Sequence, residues 1–159
     1  MLLLLMIAAA ASGQSSAFVE YQKRKAMLDS AKEITDGQTI SSLPGKRMSP
    51  IEVKLLTGNI HDPLLDFHSI SILGKKLIDG RFLCVFVRCK PGAGESEIQC
   101  LVFRFDYNPI FQAVWFVDGY LLGSESIPMK VDGSAISIKG KSAETWKFNA
   151  RGKLTKNGE

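Results

Sequence analysis

The stretch SISILGKKLIDGRFLCVFVRC, residues 69–89, decides the fold. It alternates between polar and apolar residues at Ser69–Ile72, reaches an Asp79-Gly80 pair and continues as a long apolar segment from Arg81 to Cys89. An Asp-Gly pair between two apolar runs indicates a two-residue hairpin turn, because that turn requires positive φ at both central positions. The stretch therefore predicts two antiparallel strands joined at Asp79-Gly80.

The same Asp-Gly signal occurs twice more in the second half of the chain. Asp118-Gly119 and Asp132-Gly133 each lie between short apolar runs, and a loop with Pro91 and two glycines joins apolar segments at 81–89 and 97–105. A last strand is predicted over 144–149. Short strands separated by closely spaced turn signals predict an antiparallel β-meander.

The central strands of this meander are apolar on both faces. On the strand at 81–89, one face carries Leu83, Val85 and Val87, and the other carries Phe82, Cys84 and Phe86. The strand at 110–117 is also apolar on both faces. We expect its residues Val114 and Phe116 to lie on the same face of the sheet as Phe82 and Phe86. Since neither face suits water, we expect helices to cover one face and a curled sheet, a ligand or a second subunit to cover the other.

The first half of the chain predicts helices. Residues 16–35 are rich in good helix formers, and Asp36-Gly37 supplies a stop. Further on, Ser49-Pro50-Ile51-Glu52 has the spacing of a capping box, with proline at the first helical position. This signal predicts a short second helix that ends before Gly58.

Together these elements predict an α+β fold, with an N-terminal helix and a short second helix packed on a curved antiparallel β-meander. This order is compatible with the cone-shaped sheets of cystatin-like or nuclear-transport-factor-like folds. A small antiparallel β-barrel with an N-terminal helix is the alternative. We expect one domain over residues 14–150 and a flexible polar tail over 151–159.

The N-terminus has the pattern of a signal peptide. Residues 2–11 are an unbroken apolar run and small polar residues follow, although no Lys or Arg precedes the run. A run this short does not span a bilayer, which takes about 20 apolar residues. We therefore predict a signal peptide over 1–13, with cleavage between 11 and 17, and a secreted or periplasmic protein; a buried N-terminal helix is the alternative.

Three cysteines, Cys84, Cys89 and Cys100, allow at most one internal disulfide. Strand parity places Cys84 and Cys100 on one face of the sheet and Cys89 on the other. This parity favours a disulfide between Cys84 and Cys100 over one between Cys89 and Cys100, which would need a bulge or a shifted register. The alternative is that all three are small buried hydrophobic residues.

One polar cluster has the composition of a metal or catalytic site. The eight residues 61–68 contain both histidines of the chain and two aspartates, and the cluster consists of His61, Asp62, Asp66 and His68. Imidazole and carboxylate groups bind zinc and carry out acid–base chemistry, although this spacing matches no known ligand pattern. The alternative interpretation is a polar connection before the first strand.

The net charge of +4 comes from basic residues scattered along the chain, which favours a solvated surface, and we expect no nucleic acid partner. No motif implies a cofactor. The leading hypothesis is an exported, non-enzymatic domain that binds a protein partner, a second copy of itself or a small apolar ligand through Phe82, Phe86, Val114 and Phe116. The alternative is a metal-assisted hydrolase that uses the His61-Asp62-Asp66-His68 cluster.

Overall fold

The structure is a computed structural model that describes residues 19–58, 63–107, 112–140 and 143–156. Side chains are described in these ranges except at 63, 65, 105–107 and 112–115. This part of the chain forms two helices and two antiparallel sheets. Helix α1 covers 19–30 and α2 covers Pro50–Thr57. Short 3₁₀ turns occupy Ile40–Ser42 and Pro63–Asp66. The strands are β1 (Lys46–Arg47), β2 (Ser69–Ile78), β3 (Phe82–Lys90), β4 (Glu97–Tyr107), β5 (Gln112–Ser124), β6 (Met129–Asp132), β7 (Ala135–Lys139), β8 (Ala143–Phe148) and β9 (Leu154–Lys156).

The first sheet has the order β1-β2-β3-β4-β5 and lies between the helices and the second sheet, β6-β7-β8-β9. One face of the first sheet, here called the helix face, carries Leu83, Val85 and Val87 and packs against Leu28 of α1 and Leu56 of α2. The opposite face, here called the inner face, packs against the second sheet. Residues in that inter-sheet core include Phe82, Cys84, Phe86, Ile98, Cys100, Met129, Val131, Ile136 and Ile138.

This architecture confirms the predicted α+β class, with helices packed on antiparallel strands. The strands do not form the alternative barrel, because the two described sheets remain separate and open. The second apolar face is covered by a separate sheet of the same chain, whereas the expectation named a curled sheet, a ligand or a second subunit. The meander folds back after β5 so that β6–β9 cover the face that the helices leave open.

The turn centred on Asp79-Gly80 is confirmed, although Ile78 pairs with Phe82, so the loop between the strands contains three residues and not the predicted two. Asp79 and Gly80 have φ of 51° and 66°, and the Arg81 N–H donates to the Ile78 carbonyl at 3.1 Å. Positive φ at both central positions matches the right-handed twist of the flanking strands. The local signal is therefore sufficient at this position.

The prediction of a turn at Asp118-Gly119 is wrong. Both residues lie inside β5, which pairs with β4 from Gln112 to Ser124. Neither has positive φ, and a bulge at Val117 accommodates the pair instead of a reversal of the chain. The long ladder with β4 supplies hydrogen bonds along the whole strand, which outweigh the local turn preference.

The hairpin at Asp132-Gly133 is present but displaced by one residue. Asp132 pairs with Ala135, so the central turn residues are Gly133 and Ser134, and Gly133 has φ of 58°. Gly133 adopts the left-handed backbone conformation that the turn requires, and Asp132 is the last residue of β6.

Helix α1 ends at residue 30, five residues before its predicted end. The Lys75 ammonium group of β2 donates to the carbonyls of Leu28 and Asp29 at 2.9 and 3.0 Å. A cation at the last turn satisfies carbonyls that have no partner within the helix and interacts favourably with the helix dipole. A tertiary contact therefore ends this helix, since the local sequence favours its continuation.

The capping box of α2 is confirmed. The Ser49 N–H donates to the Glu52 carboxylate at 2.7 Å, and the Glu52 N–H donates to the Ser49 hydroxyl at 3.3 Å. These two hydrogen bonds with Ser49 lower the pKa of Glu52. The box fixes the start of the helix at Pro50, as the spacing predicts.

The segment after α1, residues 32–39, connects the edges of the two sheets. The Ile34 N–H donates to the Lys75 carbonyl at 2.8 Å, and the Gly37 N–H donates to the Val131 carbonyl at 3.0 Å. Between these contacts, the Asp36 carboxylate accepts from Lys76 of β2 at 2.5 Å and from the Gly133 N–H at 2.8 Å. We call residues 32–39 the connecting segment.

The C-terminal residues differ from the predicted flexible tail. Leu154–Lys156 form β9, which pairs with β8, and Leu154 is buried in the inter-sheet core. The Asn149 side chain accepts from the N–H groups of Arg151 and Lys153 and shapes the turn before β9. One apolar residue at the correct parity is thus enough to continue the sheet; residues 157–159 lie outside the described range.

We expect Gly74→Ala to lower the free energy of unfolding by about 1–3 kcal/mol, because the added methyl group overpacks the contact between β2 and the connecting segment. A Cβ at this position would lie 2.7 Å from Ile34 Cγ1 and 2.8 Å from the Lys32 carbonyl oxygen. Urea denaturation measures the change. Gly92→Ala is the control, since a Cβ there meets nothing within 4 Å, and equal stabilities of the two variants would contradict the prediction.

We expect Asp36→Asn to lower the melting temperature at neutral pH. Hydrogen bonds from Lys76 and from the Gly133 N–H hold the pKa of Asp36 below its ordinary value of 3.8. A lowered folded-state pKa gives stability that is present above pH 3.8 and is lost as the pH falls through the folded pKa. The difference from the native protein should therefore shrink below that pH.

Thermal denaturation from pH 7 to about pH 2 measures this dependence. Asp79→Asn, a change in an exposed turn that asparagine tolerates, serves as the control. Melting temperatures of Asp36→Asn and the native protein that agree at neutral pH would show that the Asp36 charge does not stabilise the connecting segment.

Candidate binding surfaces

Two of the four predicted apolar contact residues lie in the inter-sheet core. Phe82 and Phe86 are on the inner face and are 6% and 0% exposed. The Phe82 ring lies against Gly152, where an added Cβ would be 2.3 Å from Phe82 Cε1. Because the second sheet covers both rings, they are not accessible in this structure, and their role in binding remains a prediction.

Phe116 lies on the other side of the sheet. Its register partner is Phe103, the two rings meet edge to face with centroids 5.6 Å apart, and Phe103 belongs to the core under the helices. The expectation that Phe116 shares a face with Phe82 and Phe86 is therefore wrong. The four residues do not form one surface, and the side chain of Val114 lies outside the described part.

The three cysteines are buried and free. Cys84 and Cys100 lie on the inner face and Cys89 on the helix face, as parity predicts. Burial, and then the hydrogen bond with the Cys100 thiol, raise the pKa of Cys84. A neutral, buried thiol is a poor nucleophile and metal ligand. The two thiols are diagonal neighbours on the inner face, because Cys84 pairs with Val102 and Phe86 pairs with Cys100.

The His/Asp cluster falls partly outside the described residues, since His61 and Asp62 lie there. Of the other two, Asp66 ends a 3₁₀ turn and His68 precedes β2, and both are exposed. Within the described ranges, no group of three His, Cys, Asp or Glu side chains is placed to hold a metal ion. The metal site therefore remains a prediction from sequence.

His68 does line a cavity of about 500 Å³ beside α2, here called the helix-layer cavity. Its apolar wall is formed by Met48, Val53, Leu64, Phe67 and Ile70. Its polar lining includes Ser49 and Glu52, which already bond to each other in the capping box, as well as Arg47 and His68. A mostly apolar wall with a few polar groups is the usual composition of a small-molecule pocket, and this volume is in the usual range.

An exposed apolar strip runs along β5. Phe116, Val117 and Leu121 are 39%, 37% and 55% exposed, and they are three of the six large hydrophobic side chains exposed among the described residues. We call these three residues the β5 strip. Since β5 ends the strand order of the first sheet, the strip lies at a sheet edge.

The two faces of β5 are covered unequally. On the inner face, the Tyr120 ring meets Trp146 of β8 at 6.5 Å, and burial raises the pKa of Tyr120. On the helix face, Leu101 and Phe103 of β4 are buried while Leu121 and Phe116 of β5 are not. The helix layer therefore ends between β4 and β5. The sequence does not predict this boundary, because the periodicity of a strand carries no information on the width of the layer that packs on it.

Among the described residues, no helix has both the length and the apolar character needed to cross a bilayer. The helix-layer cavity and the β5 strip are the two candidate sites described above, and comparison with known proteins adds no assignment to either. No protein-family model, no curated protein and no solved structure matches this chain.

Proposed function

We propose that this protein is an exported, non-enzymatic domain that binds a protein partner through the β5 strip. The observation that carries the proposal is the concentration of exposed apolar side chains on one edge strand, within six residues of each other. Contiguous apolar surface at a sheet edge is typical of protein interaction sites. Export is supported by the apolar run of residues 2–11 and the small residues that follow it.

The partner contributes an apolar segment that lies along β5 on the helix face. Leu121 and Phe116 flank Gly119 there, and the Leu101 side chain and the Phe116 ring fill the space above this glycine, since an added Cβ would lie 3.3 Å from Leu101 Cδ2 and 3.7 Å from Phe116 Cζ. A partner segment that lies over the exposed parts of Phe116 and Leu121 contacts both apolar side chains. Burial of apolar surface contributes about 25 cal/mol per Å² to such a complex, from which the entropy cost of association is subtracted.

Side chains, more than backbone pairing, give this surface its specificity. β5 carries bulges at Val117 and Leu122, each of which interrupts the regular spacing of backbone donors and acceptors. Bulges on an edge strand prevent indiscriminate pairing with other strands. A partner is therefore recognised by its fit to the strip and adds at most a short ladder.

We expect Leu121→Glu to weaken partner binding at least about tenfold, because a carboxylate would be buried in an apolar contact. A photo-crosslinking amino acid at position 121, introduced in the native host, identifies the partner by mass spectrometry. The affinity of the purified pair is then measured by calorimetry, for the native chain and the Leu121→Glu variant.

The matched control is Ile51→Glu, since Ile51 on α2 is 72% exposed and receives the same change. The proposal is supported if the Ile51→Glu variant keeps the native affinity for the partner and the Leu121→Glu variant loses it. If the crosslinked protein is a second copy of this chain, the complex is a homodimer. Equal affinity of both variants, or crosslinking at position 51 as strong as at 121, would refute it.

A second candidate function, binding of a small apolar molecule, is favoured by the volume and lining of the helix-layer cavity. Decanol is a suitable probe because it has an apolar chain and one hydroxyl group. We expect its addition to shift the methyl NMR signals of Val53, Leu64 and Ile70, which line the cavity, and not that of Leu154 in the inter-sheet core.

Ser69→Phe places a ring in the cavity wall and should reduce decanol affinity about tenfold. Ser137→Phe, the same change on a strand of the second sheet, should leave the affinity unchanged. Decanol that shifts no cavity methyl group, or that binds both variants equally, would remove this candidate.

A further inference from the structure

The excess positive charge of the chain belongs to the second sheet. Residues 128–159 contain seven of the 20 basic and three of the 16 acidic residues, so their formal net charge equals the +4 of the whole chain. The first 127 residues are balanced, with 13 residues of each sign. The excess charge therefore lies in one C-terminal stretch of the sequence, and the strand register decides on which face of the second sheet its lysines lie.

The strand register places these lysines on one face. Met129, Val131, Ile136 and Ile138 point into the inter-sheet core, so the residues between them lie on the opposite side, here called the outer face. Lys130 pairs with Ser137 and Thr145 follows on the next strand, while Lys147 pairs with Ala135 and Thr155. Lys139 lies on the same side, next to Ala143.

The lysines of the outer face have no acidic partners among the described residues. Lys130, Lys139 and Lys147 form no ion pair there, and Asp132 is the one described carboxylate on this face. Glu144, the other acidic residue of the described second sheet, pairs with Lys156 at 2.6 Å. Elsewhere the pattern is different, since Lys75 and Lys76 of β2 are paired with Glu33 and Asp36.

The shape and composition of the outer face indicate the kind of partner. Its described residues are Lys, Ser, Thr, Ala and Asp, without aromatic residues on which bases could stack. One face of a short sheet presents its charges in a layer, whereas a linear polymer is usually held in a groove. Lysines act as point charges without the planar fork of arginine, which suits headgroups that are not held in one geometry.

We propose that the outer face of the second sheet binds the surface of an anionic phospholipid bilayer. The lysine ammonium groups lie among the headgroups and donate to phosphate oxygens. Clusters of basic residues on a surface bind anionic leaflets in this way, with strength that falls as salt screens the charges. Since this face is on the far side of the second sheet from β5, the proposal is independent of the β5 strip.

The test compares two variants of the full chain with the same formal charge. Lys130→Gln/Lys139→Gln/Lys147→Gln removes the outer-face charges, and Lys23→Gln/Lys54→Gln/Lys90→Gln removes three exposed lysines on other elements. Sedimentation measures binding to phosphatidylcholine vesicles with about one third phosphatidylglycerol, against pure phosphatidylcholine vesicles. Circular dichroism confirms that both variants fold.

We expect salt-sensitive binding of the native chain to the anionic vesicles, a loss on the order of 100-fold in the outer-face variant, and little loss in the control variant. Asp132→Asn should strengthen binding, because it removes the negative charge from the same face. The proposal is overturned by equal losses in the two triple variants, by absence of binding to anionic vesicles, or by heparin retention that depends on the outer face without vesicle binding.

Discussion

Strand β3 contains six consecutive residues, Phe82–Val87, that are all buried, and the rest of the structure depends on covering both of its faces. Each large apolar side chain contributes about 1.5–3 kcal/mol when it leaves water, so an exposed face of this strand would be costly. The helices cover Leu83, Val85 and Val87, and the second sheet covers Phe82, Cys84 and Phe86. A three-layer arrangement follows directly from this requirement.

The helices and the second sheet must also be attached to the first sheet. A few contacts of the connecting segment with β2 and with the second sheet provide this attachment. Lys75 ends α1, and Gly74 allows the segment to approach β2. Asp36 accepts hydrogen bonds from Lys76 of β2 and from Gly133 in the turn between β6 and β7. These contacts join elements that are far apart in sequence. Their polar groups lie at the edge of the core, where hydrogen bonds to backbone groups take the place of hydrogen bonds to water.

The candidate binding surfaces are what remains after the central strands are covered. The helix layer does not extend over β5, so Phe116 and Leu121 stay exposed although their neighbours on β4 are buried. The apolar residues of the second sheet pack against the first sheet. The opposite side of the second sheet is the basic outer face, with Lys130, Lys139 and Lys147. An apolar edge and a charged face on separate layers allow two different partners to bind.

The sequence alone determined the elements whose signals are local. The Asp79-Gly80 turn, the capping box at Ser49 and the two apolar faces of β3 depend on residues close in the chain, so spacing predicts them. Tertiary structure decided the end of α1, the continuation of β5 through Asp118-Gly119, the face on which Phe116 lies and the exposure of the β5 strip. Each of these depends on a partner from a distant segment, whose hydrogen bonds or packing outweigh local preferences worth about 1 kcal/mol or less.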